Sequence, residues 1–224
     1  MDWTASSLSL KLAAWTVILL LPVAIAIARF LAWSRVPLKS GIEALIFMPL
    51  VLPPTVLGFY LLVAFSPQSS FGNLLRAAFG TPLVFTFAGI LVASLIINLP
   101  FAVQPIQRAF EAIPRNVREA AFVSGLSSWE TMRRIELPLA WPGIVSAVAL
   151  TFAHTLGEFG VILMIGGSIP GETQVLSIAI YDRVQAFHIE EAGVMSAVLL
   201  AFSLIAIAVV HMLARRQRTG THAP

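Results

Sequence analysis

Ionisable side chains set into apolar sequence are costly and need a reason, and this chain has few. Glu158 is the one acidic residue well inside an apolar run, and Thr151, His154 and Thr155 precede it. Residues three and four apart share a helix face, so Thr151, His154 or Thr155, and Glu158 can line one side of a helix. Such a group marks a solute pathway or a gate, or else a packing residue held by a polar partner. Glu158 is read as a pathway or gate residue, either protonated or tied to a backbone donor or an arginine; packing alone is the other reading. His154 joins it, with hydrogen bonding as its plainer role. Asn98, just before Pro100, can hydrogen-bond between helices or line the same pathway. Pro53 and Pro54 either break a helix to shape a cavity wall or kink it only for packing.

Enzymatic chemistry finds little to work with. The chain has no cysteine, which excludes disulfides, thiolate metal sites and thiol nucleophiles. His154, His188, His211 and His222 lack metal-ligand spacing. No Gly-x-x-x-x-Gly-Lys-Ser/Thr phosphate loop occurs. No acid, base and nucleophile converge, so no catalytic residue, metal or cofactor is expected.

A second constellation is polar and helix-prone. Glu119-Ala120-Ala121 is followed after three residues by Gly125, after nine more by Ile135, and then by Leu137 and Pro138. Pro114 can start a helix with Arg115 to Ser124 as its body. Glu119 stands four residues after Arg115, a spacing that supports an ion pair. Ala120 and Ala121 offer a face that another protein can approach closely. Gly125 suits the turn, Ser127 or Ser128 can cap a second helix with Glu130 in its first turn, and Pro138 would end that helix. The pattern reads as a protruding helical pair over about 111–138 that docks a partner; an ordinary amphipathic loop is the alternative.

The elements that must position these residues are membrane spans. The chain has 224 residues, 58% hydrophobic and 11% charged, with mean hydropathy +0.89. Soluble domains carry about 25% charged residues. Spans need roughly 20 apolar residues each, and five runs qualify: about 10–33, 42–65 with Pro49, Pro53 and Pro54 inside, 85–107, 142–165 and 193–213. The expected fold is an all-α polytopic bundle in a single domain, 1–224. Eleven of the fourteen lysines and arginines, among them Arg29, Arg35, Lys39, Arg118 and Arg215, fall on one side of these runs. By the positive-inside rule the N-terminus is outside and the C-terminus inside. The sorting by side explains the pI near 10 without nucleic acid. Residues 66–82 read as an outer loop with a short amphipathic turn at Leu74, Leu75, Ala78 and Phe79. The stretch Val175 to Ile180 reads as a re-entrant or surface-lying segment.

The coupling pattern, with Pro49-Leu-Val-Leu-Pro-Pro-Thr-Val56, Leu156-Gly-Glu-Phe-Gly160 and Ile169-Pro-Gly-Glu-Thr173, resembles the permease subunits of binding-protein-dependent ABC importers. Within that class it is most similar to molybdate permeases, with sulfate and tungstate permeases next. The segments after Gln174 and from Ser66 to Thr81 depart from the family pattern. The resemblance implies a homodimer of this chain in the bacterial inner membrane, two ATP-binding subunits on the cytoplasmic side, and an extracytoplasmic molybdate-binding protein. It also implies alternating access, with Glu119, Ala120, Ala121, Gly125, Ile135, Leu137 and Pro138 coupling the ATPase to the bundle. An ATP-independent secondary carrier is the competing class, but no internal repeat supports it.

Overall fold

A computed structural model describes residues 2–34 and 36–219. Arg35 and the residues from 220 onward lie outside them, as do the side chains of Arg215, Arg216 and Arg218. The described residues form eleven α-helices and one π-helical turn.

Four helical stretches are long and apolar enough to cross a membrane: α1 (Trp3–Trp33), α5 (Phe87–Glu111), Ser128–Gly157, and Ile189–Ala208 within α11 (Ile189–Thr219). The fifth expected span is not one helix. It is a pair, α2 (Lys39–Val51) and α3 (Pro54–Phe65), bent by 112°. Two adjacent prolines explain the break. Neither Pro53 nor Pro54 can donate a backbone hydrogen bond, and Pro53 holds an extended ψ of 136° at the start of α3.

The bundle has two ends, distinguished by Trp3 and Trp33 of α1. At the Trp33 end, Ile46 of α2 shares a core cluster with Ala24, Ala28 and Leu31 of α1, Ile106 and Phe110 of α5, and Ala140 and Ile144 of α8 (Leu137–Gly157). Gln107 Nε2 donates to Glu43 Oε1 at 2.8 Å there and ties α2 to α5. At the other end, Phe65 of α3 clusters with Leu83, Val161 and Ile165. The bent pair thus carries the chain from one end of the bundle to the other. Alanines on α1, α5 and α8 let these three helices lie close, which is how helices associate where apolar surface alone gives no drive. Pro22, Pro100 and Pro105 sit inside helices without breaking them, because a bundle shelters the carbonyls they leave free.

Short helices decorate the Trp3 end. The amphipathic turn is α4 (Ser70–Phe79), capped by Ser69 at its start and by the left-handed Gly80 at its end. The stretch at Val175 to Ile180 opens α10 (Leu176–Gln185), whose Leu176, Ile178 and Ala179 are buried. Ser9 Oγ of α1 accepts the Leu176 N–H at 2.7 Å and holds that helix start in place.

Candidate functional site

Two places on the chain can do work. The first is at the Trp33 end. Pro114 caps α6 (Arg115–Val123), and Gly125, with φ 80°, makes the turn. Leu126 N–H donates to Ala121 O and Gly125 N–H to Phe122 O, a Schellman closure that needs the left-handed residue. Ser127 then caps α7 (Ser128–Thr131) through a full capping box with Glu130.

Three expectations are corrected here. Ala121 is buried against the bundle, whereas Glu119, Ala120, Phe122 and Val123 face outward. Arg115 makes no ion pair with Glu119; it is Arg118 that reaches inward, to Glu136. Pro138 does not end the second helix. The chain runs from α7 through a π turn (Met132–Glu136) into α8 as one 30-residue helical stretch. Leu137 N–H reaches back to Met132 O, and Pro138 falls in the first positions of α8. A proline there costs little, because the wider turn has already shifted the bonding ladder. Ile135 and Leu137 are half-buried on this stretch. A hollow of about 460 Å³ lies beside α6, lined by Trp33, Lys39, Glu111, Arg115, Arg118 and Glu119 among others.

The second place lies toward the Trp3 end, where α8 stops short of the expected span end. Glu158 is extended (φ −68°, ψ 127°) and separates α8 from α9 (Gly160–Gly166). Its carboxylate is buried, and Oε1 accepts the Val161 N–H at 2.9 Å. Its own carbonyl accepts Ser177 Oγ–H of α10 at 2.7 Å. Two of the backbone groups freed by the break thereby find partners. The tie to a backbone donor is realised, and among the described residues no arginine pairs with it.

His154 Nε2 stands 3.9 Å from Glu158 Oε2. The Asn98 amide nitrogen donates to Ser94 O at 2.8 Å and to Ser94 Oγ at 3.2 Å, which leaves its oxygen to meet His154 Nδ1 at 3.1 Å. Ser94 Oγ in turn meets Thr16 Oγ1 at 2.9 Å. The His154 ring stacks on Phe101 with centroids 4.0 Å apart. A polar chain therefore runs from α1 through α5 to α8 and ends at Glu158.

That chain opens onto a cavity of about 170 Å³ walled by Pro49, Leu52, Pro54 and Leu57 of the bent pair, Ile97 and Phe101, His154 and Glu158. Pro54 forms part of the wall, whereas Pro53 sets the break behind it. Thr151 is placed apart: it is buried and borders a crevice with Val17, Leu20 and Ala102, and its hydroxyl has no partner. The two broken stretches touch. A Cβ on Gly160 would come within 2.9 Å of Pro54 Cβ, while one on Gly157 would meet open space.

Two polar contacts escape a reading of the sequence. Glu136, fully buried, takes Arg29 and Arg118 together. Its signal was an acidic residue between Ile135 and Leu137. The other is Glu172, whose Oε1 accepts the Phe87 N–H at 2.9 Å and caps α5, while Thr173 Oγ1 donates to Gly166 O at 2.6 Å. The Ile169–Thr173 motif is thus a staple between α9 and α5.

Residues 21–219 match the model of the binding-protein-dependent transport system inner membrane component family. The chain belongs to this family. Like other members it is a membrane-spanning transport subunit and not an enzyme. It is 44% identical over 219 residues to the molybdenum transport system permease protein ModB of Azotobacter vinelandii, covering 98% of this chain and 96% of the relative. It is 34% identical over 189 residues to the sulfate transport system permease protein CysT of Escherichia coli, covering 84% and 68%. Its fold is shared with a bacterial ABC transporter that imports the acidic polysaccharide alginate, at TM-score 0.79 and 18% identity over 95% of this chain and 78% of that one.

Proposed function

We propose that this chain is the permease of an ATP-driven importer that moves molybdate across the bacterial inner membrane. The observation that carries the substrate is the 44% identity, spread over nearly the whole length, to a molybdenum permease. The single unit 1–224 pairs with a second copy to enclose the pathway. Two ATP-binding subunits dock at the Trp33 end, and a molybdate-binding protein docks at the Trp3 end. The Trp33 end is cytoplasmic and the N-terminus outside, a reading supported by the basic residues Arg29, Lys39, Arg108 and Arg118 gathered at the Trp33 end.

The docking face is centred on Glu119 and Ala120, with Phe122 and Val123 exposed beside them. Ala121, Gly125, Ile135, Leu137 and Pro138 shape and support it from behind. Closure of the ATPase pair draws α6 inward, and the membrane helices follow into the outward-open state. The cavity at His154, Glu158 and Pro54 is the gate region, with Asn98 and Pro53 holding its walls. A buried carboxylate there repels a dianion and favours passage over retention. Selectivity then belongs to the binding protein, which is why no cluster of arginines lines the spans.

The test is uptake of labelled molybdate and of labelled sulfate, each at low concentration, by cells with and without the chain. Loss of molybdate uptake alone is expected. Loss of sulfate uptake alone would move the chain to the class of its sulfate relatives. The docking assignment has its own test in Glu119→Arg, which should leave the permease in the membrane but lower co-purification of the ATPase and abolish transport.

A further inference from the structure

Glu136 has no part in the docking face, yet it is one of the most deeply buried charges among the described residues. Arg29 Nε donates to its Oε2 at 2.6 Å and Arg118 Nε to its Oε1 at 2.7 Å. Three elements meet on this carboxylate: α1 through Arg29, α6 through Arg118, and the π turn that carries Glu136 itself. Arg29 Nη2 also donates to Ser128 Oγ at 3.0 Å, at the head of α7. The Arg118 guanidinium lies 3.9 Å from the centroid of the Trp33 ring, close enough for cation–π attraction.

Two half-buried arginines on a fully buried carboxylate are a poor source of stability, since desolvation offsets much of the attraction. What it supplies is register, because few arrangements satisfy all three charges at once. Its location is equally informative. The π turn is the sole one among the described residues, and such turns mark places where a helix serves a function beyond support.

We propose that Arg29, Glu136 and Arg118 form a clamp that fixes the docking helix α6 to α1 and to the Ser128–Gly157 stretch. Movement imposed on α6 then turns that stretch instead of slipping past it. Glu136 is a positioning residue for the coupling of ATP hydrolysis to transport, and the proposal rests on the docking reading of Glu119. The clamp stands behind the docking face, so an unclamped permease still binds its ATPase. The loss falls on transmission: ATP is hydrolysed while less substrate moves.

The experiment uses the full complex in lipid vesicles, with molybdate-loaded binding protein and labelled molybdate as the probe. Three quantities are read: ATPase co-purified, ATP hydrolysed, and molybdate moved per ATP. The variant Arg29→Met, Glu136→Leu, Arg118→Met replaces the whole set with apolar side chains, an exchange that buried triads tolerate. Expected are normal co-purification and hydrolysis, with molybdate per ATP down by about tenfold, the factor for one lost charge-assisted hydrogen bond. An unchanged ratio overturns the clamp. Lost co-purification overturns it too, since the triad would then belong to the docking face. Should the triple variant fail to accumulate, Arg118→Met alone keeps Glu136 paired with Arg29 and frees only α6; it must lower the same ratio, and a wild-type ratio overturns the proposal. Glu119→Arg runs alongside. If it keeps co-purification and transport, the docking reading falls and the clamp with it; if it loses them, the triad variants judge the clamp alone.

Discussion

Glu158 and Glu136 are both buried carboxylates, but their partners give them different work. Glu158 spends one oxygen on the Val161 N–H and turns the other toward His154. Glu158→Gln keeps an acceptor for Val161 and removes the charge. It should leave the amount of permease in the membrane near normal while lowering molybdate uptake several-fold; unchanged uptake at every pH tested would reduce Glu158 to a helix cap. Glu158→Ala removes the cap as well and should cost about 1 kcal/mol of stability, read as a lower melting temperature in detergent. The sequence made Glu158 visible because it is a lone charge in an apolar run. It hid Glu136, because the arginines that explain it are 107 and 18 residues away in the chain. Spacing rules see neighbours on one helix; they do not see a contact made by three elements. For the same reason Asn98 was legible as a residue that hydrogen-bonds between helices, whereas its acceptor contact with His154 on α8 and its donation to Ser94 on its own helix were not foreseen.

At the scale of elements, spans were legible and breaks were less so. Hydropathy marks where a chain is apolar, and α1, α5 and α11 follow it with ends up to seven residues from those expected. It does not register that two adjacent prolines turn the second run by 112°, or that α8 ends at Gly157 because Glu158 and Ser177 offer other bonds to the freed backbone. The two breaks pack on each other through Gly160 and Pro54. Gly160→Val should wedge α3 from α9 and block uptake, with ATPase co-purification retained; normal uptake would mean that the contact is filler. Pro138 misled as a stop signal because a π turn precedes it. Gly125→Ala places a Cβ at φ 80°, which costs about 1 kcal/mol with open space around it. A modest fall in coupling, without loss of the permease, is the expected reading of ATP hydrolysed per molybdate.

Over the whole molecule, the sorting of basic residues and the five passages of the chain agree on opposite ends for α1's start and α11's finish. Cysteine placed at Trp3, in a chain with none of its own, should react with an impermeant thiol reagent from outside; labelling only after lysis would invert the topology. Purified complex should contain two permeases and two ATPase subunits, a stoichiometry that mass measurement in detergent decides. The stretch from Ser128 to Gly157 adds a mechanical consequence. At 1.5 Å per residue it is a lever about 45 Å long. With Glu136 pinned to α1 by the proposed clamp as its fulcrum, Trp129 stands seven residues to one side and Gly157 stands 21 to the other. These arms stand in a ratio of about three to one. A displacement of 1 Å at Trp129 would therefore swing Gly157, beside the proposed gate, by about 3 Å in the opposite sense. A small stroke is amplified and reversed in direction by the geometry of one helix.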